Sequence, residues 1–127
     1  MNRLNCIGNL CRDPESRVVK NRNGDTSTVV SFTVAANNGW GEYQTVLFVK
    51  VNAWGGLGET CLKYLQKGSK VYVSGVPSLN LYVNNNGEAA GNIEIAHLDE
   101  IEFLTRRDSI PYQPAEEPED EDIEDLL

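Results

Sequence analysis

The chain has 127 residues, of which 40% are hydrophobic, and this suffices for one folded domain with a single core. Its net charge of −8 argues against a nucleic-acid ligand at first sight, because proteins that bind phosphate usually carry a basic surface. No apolar run approaches the roughly 18 residues of a membrane span, and the N-terminus lacks the apolar stretch of a secretory signal, so we expect a soluble cytoplasmic protein.

The charge is distributed unevenly along the chain. Residues 1–107 contain all 11 Lys and Arg and 10 of the 19 Asp and Glu, a net charge of +1. Residues 108–127 contain the other nine acids, no basic residue and three prolines, a net charge of −9. Such a segment cannot bury enough apolar surface to offset its ordering entropy. We therefore predict a folded domain over 1–107 and a disordered acidic tail over 108–127.

Alternating apolar and polar residues, separated by Asn- and Gly-rich turns, predict a mostly β domain. The predicted strands cover residues 2–9, 28–36, 46–54, 70–76, 79–83 and 92–104, the last interrupted near Asp99. Residues 57–67 show the one helical pattern, which Gly68 ends and whose apolar stripe is Leu57, Cys61, Leu62 and Leu65. Three strands, a helix and further strands predict an all-β OB-fold, a five-stranded barrel with one helix, whose exposed face binds oligonucleotides.

The strand over 46–54 has two chemically different faces, because side chains two residues apart point the same way. One face is apolar and is assigned to the core: Leu47, Val49, Val51 and Ala53. The other mixes two aromatic rings with a cation and an amide: Phe48, Lys50, Asn52 and Trp54. Such a mixture does not suit a dry interior, so we expect this second face to meet water.

Two further aromatic residues are predicted at the surface. Residues 79–84 repeat the division, with Leu79, Leu81 and Val83 on one side and Tyr82 on the other. Trp40 lies between glycines just past a strand end, where a loop can present an indole. Exposed rings suit unpaired bases, because every base has a π-face and stacking contributes about 1–3 kcal/mol per base. The alternative is that one or more rings pack in the core or in a subunit interface.

Two stretches of the sequence carry a family resemblance. The opening, Met1-Asn-Arg-Leu-Asn-Cys-Ile-Gly-Asn-Leu-Cys-Arg-Asp-Pro-Glu-Ser-Arg17, resembles that of bacterial single-stranded DNA-binding proteins, and so does Tyr64-Leu-Gln-Lys-Gly-Ser-Lys-Val-Tyr-Val-Ser-Gly75. Residues 99–104 are similar to the family's last core strand, so the resemblance covers nearly all of 1–104. It implies a homotetramer that binds single-stranded DNA without strong sequence preference and protects it during replication, recombination and repair.

The resemblance also implies roles for single residues. Trp40, Phe48, Trp54 and Tyr82 fall where the family places stacking aromatics, which agrees with the face analysis. Three cations match basic positions of the family and are candidate phosphate contacts: Arg3, Lys50, and Arg17 in the turn after the first strand. The alternative is that each is merely a solvated surface cation. The Arg-rich run that relatives often have before the Tyr82 position is missing, and the loop after Trp40 is short. We therefore expect a shallow salt dependence.

The tail ends in apolar residues that follow its acids. Relatives commonly end in an apolar tip with Pro and Phe. The corresponding residues here are Asp122, Ile123, Glu124, Asp125, Leu126 and Leu127. An acidic segment attracts basic partners, and its apolar end can enter a pocket, so we predict that it recruits replication and repair proteins. The alternative is an inert solubilising tail.

Other classes of function find less support. The single histidine, His97, has no paired Ser or Cys motif nearby and is interpreted as an ordinary strand residue. Cys6, Cys11 and Cys61 show neither a C-x-x-C pair nor zinc-ligand spacing. We therefore expect neither an enzyme nor a metal or other cofactor. An OB-fold module that binds RNA or protein stays open as an alternative.

Overall fold

Six segments, five of which contain two or more β-branched residues, form strands in the computed structural model, which describes residues 1–39 and 41–104. Trp40, the predicted boundary at Arg107 and the predicted tail lie outside the described residues. In chain order the elements are β1 Leu4–Leu10, β2 Glu15–Lys20, β3 Thr26–Asn38, a 3-10 turn Gly41–Tyr43, β4 Thr45–Trp54, α1 Gly55–Tyr64, β5 Lys70–Val83 and β6 Ala89–Phe103.

The strands form one sheet that closes on itself. Its order is β1-β5-β6-β4-β3-β2, and β1 also pairs with β3, so five strands complete a ring while β2 lies outside it along β3. The described pairings are antiparallel except that of β4 with β6. Gly8 permits the closure, because a side chain there would collide with the Ala35 carbonyl on β3. The five-stranded ring with one helix confirms the predicted fold class.

Inward-pointing side chains fill the ring, and α1 packs against β3 and β4. The helix contributes Cys61 and Leu65 to the core. Gly58 brings it close to β4, since a Cβ there would lie 2.5 Å from the Ala53 carbonyl oxygen. The strands contribute Leu10, Val30, Phe32, Val34, Val49, Val51, Ala53, Val71, Val73, Ile95 and Leu98. Among the described residues, no helix is long and apolar enough to cross a membrane.

The prediction misses one strand and divides another wrongly. The strand β2 occupies the region predicted as a turn around Arg17. It is an edge strand, largely exposed on both sides, so its sequence shows no apolar alternation. The strands predicted over 70–76 and 79–83 form the single strand β5. A register shift between Val76 and Pro77 accommodates the proline, which has no N–H for the ladder.

The helix and two core assignments also differ from the prediction. The helix ends at Tyr64 rather than near residue 67, and the Leu65 N–H donates to the Cys61 carbonyl. Leu62 is exposed, because the buried stripe follows the i, i+4 spacing of residues 57, 61 and 65. Leu47 is exposed, because β4 pairs with β6 only from Val49 onward.

The strands β5 and β6 continue past the ring as a two-stranded arm, residues 79–92, where the described pairings of β6 are with β5 alone. The ladder between the two strands shifts register twice, passing over Asp99 and then Ala96. The first shift lies at the interruption predicted near Asp99, although β6 itself runs through it. At the tip of the arm, Asn84 Oδ1 accepts hydrogen bonds from the N–H groups of Asn86 and Glu88.

Candidate nucleic-acid interface

The outward side of β4 carries the aromatic residues that the sequence singled out. Val49, Val51 and Ala53 have no exposed surface. Phe48, Lys50 and Trp54 alternate with them and are half-buried on the opposite side of the strand. The strand therefore divides into a core face and a mixed outer face as predicted, apart from Leu47 and from Asn52, which was expected to meet water but is buried and accepts a hydrogen bond from Ser31 Oγ at 2.8 Å.

Strand register extends this outer side across the sheet, because directly paired residues lie on the same side. Val29 on β3 pairs with both Arg17 on β2 and Trp54 on β4. Lys50 pairs with Glu94 on β6, which pairs with Ser78 on β5. Residue 82 lies on the same side as residue 78. We call this surface the aromatic face; its members include Arg17, Phe48, Lys50, Trp54, Tyr82 and Glu94.

The Trp54 ring is held by two contacts with β6. Its Nε1–H donates to the Ala96 carbonyl oxygen at 3.0 Å. Its ring stacks on that of His97, with centroids 5.7 Å apart and planes inclined by 30°. Gly55, at φ +62°, turns the chain from β4 into α1 directly afterwards. A ring held in this way has little freedom left to lose when a base stacks on it, which favours binding.

Phe48 and Tyr82 lie on different parts of the aromatic face. Phe48 is on the ring and pairs with Ala35, whereas Tyr82 is on the arm and pairs with Ala90. Both are half-buried, and the residue paired with each ring is an alanine. On the same side, Asn92 has a buried Oδ1 without a hydrogen-bond partner among the described residues. This face therefore combines stacking surfaces with an unused acceptor.

The three predicted phosphate contacts differ in their surroundings. Arg17 is exposed and Lys50 half-buried, and both lie on the aromatic face. Arg3 is engaged with its own chain: Nη1 forms an ion pair with Asp99 Oδ2 at 2.9 Å, and Nη2 donates to Ser74 Oγ at 2.9 Å. A phosphate would have to compete with these partners for the Arg3 guanidinium.

The aromatic face is close to neutral. Glu94 lies beside Lys50, and Glu15 on β2 pairs with Ser31 on the same side. Two carboxylates thus offset the charges of Arg17 and Lys50. Opposing charges in contact with solvent leave little net field for a phosphate backbone. The aromatic face therefore offers ring surfaces but little net charge.

Glu94 and His97 are members of this surface that sequence reasoning missed. Residues 92–95 alternate polar and apolar, so a signal for Glu94 was present, but its place beside Lys50 depends on the pairing of β4 with β6. The contact of His97 with Trp54 depends on the register shift at Ala96. No local pattern in the sequence indicates that shift.

The cysteines are free thiols. Burial raises the pKa of the Cys6 thiol and raises that of Cys61 to about 11. Since the thiolate is the form that attacks or binds metal, these side chains behave as small hydrophobes. Within residues 1–39 and 41–104, no group of three or more His, Cys, Asp or Glu side chains is arranged to hold a metal ion.

Trp40 and the tail residues 122–127 lie outside the described residues, so their roles stay predictions. The glycines on either side of Trp40 both have left-handed backbones, with φ of +79° at Gly39 and +63° at Gly41. Residues other than glycine rarely adopt such backbone angles, so this loop requires its glycines.

Comparison with known proteins gives a consistent result. The sequence profile described as "Single-strand binding protein family" matches residues 1–104. The chain is 33% identical over 88 residues to a single-stranded DNA-binding protein of Onion yellows phytoplasma, covering 69% of this chain and 80% of that protein. It is 30% identical over 115 residues to single-stranded DNA-binding protein 1 of Chlorobaculum tepidum, covering 86% and 68%.

A third relative is longer than this chain. The chain is 32% identical over 105 residues to a single-stranded DNA-binding protein of Bifidobacterium longum, covering 77% of this chain but only 46% of that protein. Proteins of the matched family bind DNA and are not enzymes, which confirms the prediction of a non-enzymatic protein. The chain belongs to the Single-strand binding protein family, as the resemblance over residues 1–104 predicted.

Proposed function

We propose that the chain binds single-stranded DNA without strong sequence preference, with unpaired bases stacked on the aromatic face. The observation that carries this proposal is the placement of Phe48 and Trp54 on the outer side of β4, opposite the core residues Val49, Val51 and Ala53. Stacking tolerates any sequence, because every base has a π-face. Membership of the family and the names of its relatives support the same ligand.

The phosphate backbone contributes less to this binding. Arg17 and Lys50 contact phosphates on the aromatic face. Arg3 contacts a phosphate only if its ion pair with Asp99 breaks. Glu15 and Glu94 oppose them. Each neutralised phosphate of a single strand adds about −0.7 to the slope of log K against log salt, so we expect a shallow slope. A steep loss of affinity between low and physiological salt would contradict this account.

Titration of tryptophan fluorescence with oligo-dT of several lengths tests the proposal, because the chain has only two tryptophans, Trp40 and Trp54. We expect quenching that saturates at a defined length. A Trp54→Phe variant assigns the share of each indole, and Tyr64→Ala, on α1, is the control for an exposed ring elsewhere. No quenching at any length contradicts the proposal. Equal competition by single-stranded RNA favours the RNA-binding alternative.

The cellular role extends this binding. The protein protects single strands in the bacterial cytoplasm or nucleoid during replication, recombination and repair, and residues 108–127 recruit the proteins that act there. The acids of the tail and its apolar end support this role. Affinity capture with the whole chain and with a chain lacking residues 122–127 tests it. Recruitment requires that replication and repair proteins are lost with these residues; if all are retained, the tail is inert.

The proposed assembly is a homotetramer. Leu79, Leu81 and Val83 form an apolar row on the side of the arm that does not carry Tyr82, and all three are exposed in the single chain. An apolar row of this kind is a typical contact between subunits. Sedimentation analysis of the wild type should give four copies, and Leu81→Asp should weaken the assembly. A wild type that stays monomeric at micromolar concentration contradicts the proposal.

A further inference from the structure

We propose that His97 is a further base-contacting residue, which forms with Trp54 a platform of two stacked rings. The platform belongs to the aromatic face, so the inference rests on the proposed binding of single-stranded DNA. Its occupant is an unpaired nucleobase, stacked on the exposed imidazole so that it continues the Trp54–His97 stack.

The fold turns His97 outward by an irregularity in the β5–β6 ladder. In a regular strand, residues 95 and 97 point to the same side, and Ile95 is completely buried. The ladder passes over Ala96, since Pro77 pairs with Ile95 and Val76 with His97. This bulge leaves His97 exposed, although Ile95 and Leu98 on either side of it are buried. Re-aiming a side chain is a common use of a β-bulge near a functional site.

Gly75 on β5 makes this irregular pairing possible. A Cβ at this position would collide with the His97 carbonyl oxygen and lie 2.5 Å from Ile95 Cγ2. The two backbones can therefore approach here only because residue 75 has no side chain. The position of the imidazole is thus determined by the backbones of β5 and β6 and does not depend on a flexible loop.

The two rings form a connected unit with an accessible outer member. The imidazole is exposed, whereas the indole is half-buried. Their centroid distance of 5.7 Å and inclination of 30° lie in the range of aromatic pairs. The indole N–H is bonded to the carbonyl of Ala96, the neighbour of His97, so both rings are tied to the same bulge. A base that approaches Trp54 from this side meets the imidazole first.

Two other roles for His97 give different experimental results. If the imidazole only supports Trp54, its loss has no consequence once the indole has been removed. If it meets a phosphate instead of a base, its loss reduces the salt dependence of binding. If His97 contacts a base, its loss weakens binding even after the indole has been removed, and it leaves the salt dependence unchanged.

Proton NMR of the imidazole tests the proposal in the unaltered chain, because His97 is the only histidine. Its carbon-bound protons are followed during titration with oligo-dA and with oligo-dT, alongside tryptophan fluorescence. We expect upfield shifts that are larger with oligo-dA, because a stacked purine has the stronger ring current. If the fluorescence is quenched but the imidazole protons do not shift, the inference is overturned. Shifts of equal size with oligo-dA and oligo-dT also overturn it, because movement of Trp54 alone would explain them. Absent quenching overturns the proposed function as well.

Variants provide the second measurement. His97→Ala should weaken binding of oligo-dA about fivefold, the lower end of the stacking range because imidazole is small, with an unchanged salt slope. The same substitution should weaken binding further in a Trp54→Ala background, and His97→Phe should restore most of the affinity. Tyr64→Ala is again the control. No added effect in the Trp54→Ala background, or a reduced salt slope, overturns the inference.

Discussion

The strands β5 and β6 show the same alternation of apolar and polar residues in two places, with opposite results. Within the ring, Val71 and Val73 have no exposed surface. On the arm, Leu79, Leu81 and Val83 are 64%, 72% and 55% exposed. Alternation therefore determines which side chains share a side of the sheet, but burial requires another element to cover that side.

The arm has two chemically different sides. One side continues the aromatic face through Tyr82, and the other carries the uncovered apolar row. An isolated two-stranded hairpin is only marginally stable in water. Contacts with other molecules would therefore stabilise the arm. The proposed partners are DNA on one side and another copy of the chain on the other.

The largest expected effect contrasts two isomeric side chains, one in the ring and one on the arm. Ile95→Ala removes a completely buried side chain and should lower the free energy of unfolding by about 2–5 kcal/mol. Leu81→Ala removes the same number of carbons from an exposed position and should change it by less than about 0.5 kcal/mol in the separated chain. Urea denaturation measures both values.

The protein concentration serves as the internal control for this pair. If copies associate through the arm, the loss caused by Leu81→Ala grows with concentration, whereas that caused by Ile95→Ala stays large at every concentration. Equal losses for the two variants in dilute solution would mean that the arm is already covered within one chain, contrary to the structure.

The next effect compares the aromatic face on the ring with its continuation on the arm. Phe48→Ala and Tyr82→Ala should each weaken binding of single-stranded DNA by about 1–3 kcal/mol, the range for one stacked base. Tyr64→Ala should have no effect, because that ring packs near Phe103 away from the aromatic face, with centroids 6.1 Å apart. If Phe48→Ala weakens binding and Tyr82→Ala does not, DNA is confined to the ring.

The parts of the fold that were predictable from sequence are those that local alternation determines. The inner and outer faces of β4 follow from residues 46–54 alone, and the closed barrel follows from the order of strands and helix. The strand β2 was not predictable, because an edge strand exposed on both sides has no apolar period. The exposure of Leu47 was not predictable either, since it depends on where β4 begins to pair with β6.

In the candidate site too, the residues found from sequence are those that local alternation determines, and the residues missed depend on strand pairing. Phe48, Lys50 and Trp54 were found because they share one strand and one period. The positions of Glu94 and His97 depend on pairing between strands that are distant in sequence, and for His97 on a bulge as well. The ion pair of Arg3 joins residues 96 positions apart, so no local pattern indicates that this cation is already engaged.

A smaller effect separates the two arginines. Arg17→Gln should reduce the magnitude of the salt slope by about 0.7, the loss of one phosphate contact on a single strand. Arg3→Gln should reduce it less, because the guanidinium is held by Asp99 and Ser74. Binding isotherms at four or more salt concentrations measure both slopes. An equal reduction would show that DNA displaces Asp99 and that Arg3 contacts phosphate as directly as Arg17 does.

The smallest effect has the opposite sign. Glu94→Gln keeps the shape of the side chain but removes the carboxylate beside Lys50, so binding of single-stranded DNA should strengthen by about 0.5 kcal/mol, typical of one charge pair near the surface. Glu59→Gln, which removes an exposed carboxylate from α1, should leave the affinity unchanged and controls for net charge. If both variants strengthen binding equally, the gain comes from the charge of the whole chain. A gain specific to Glu94 would show that the aromatic face itself weakens phosphate contact and leaves stacking as the main source of affinity.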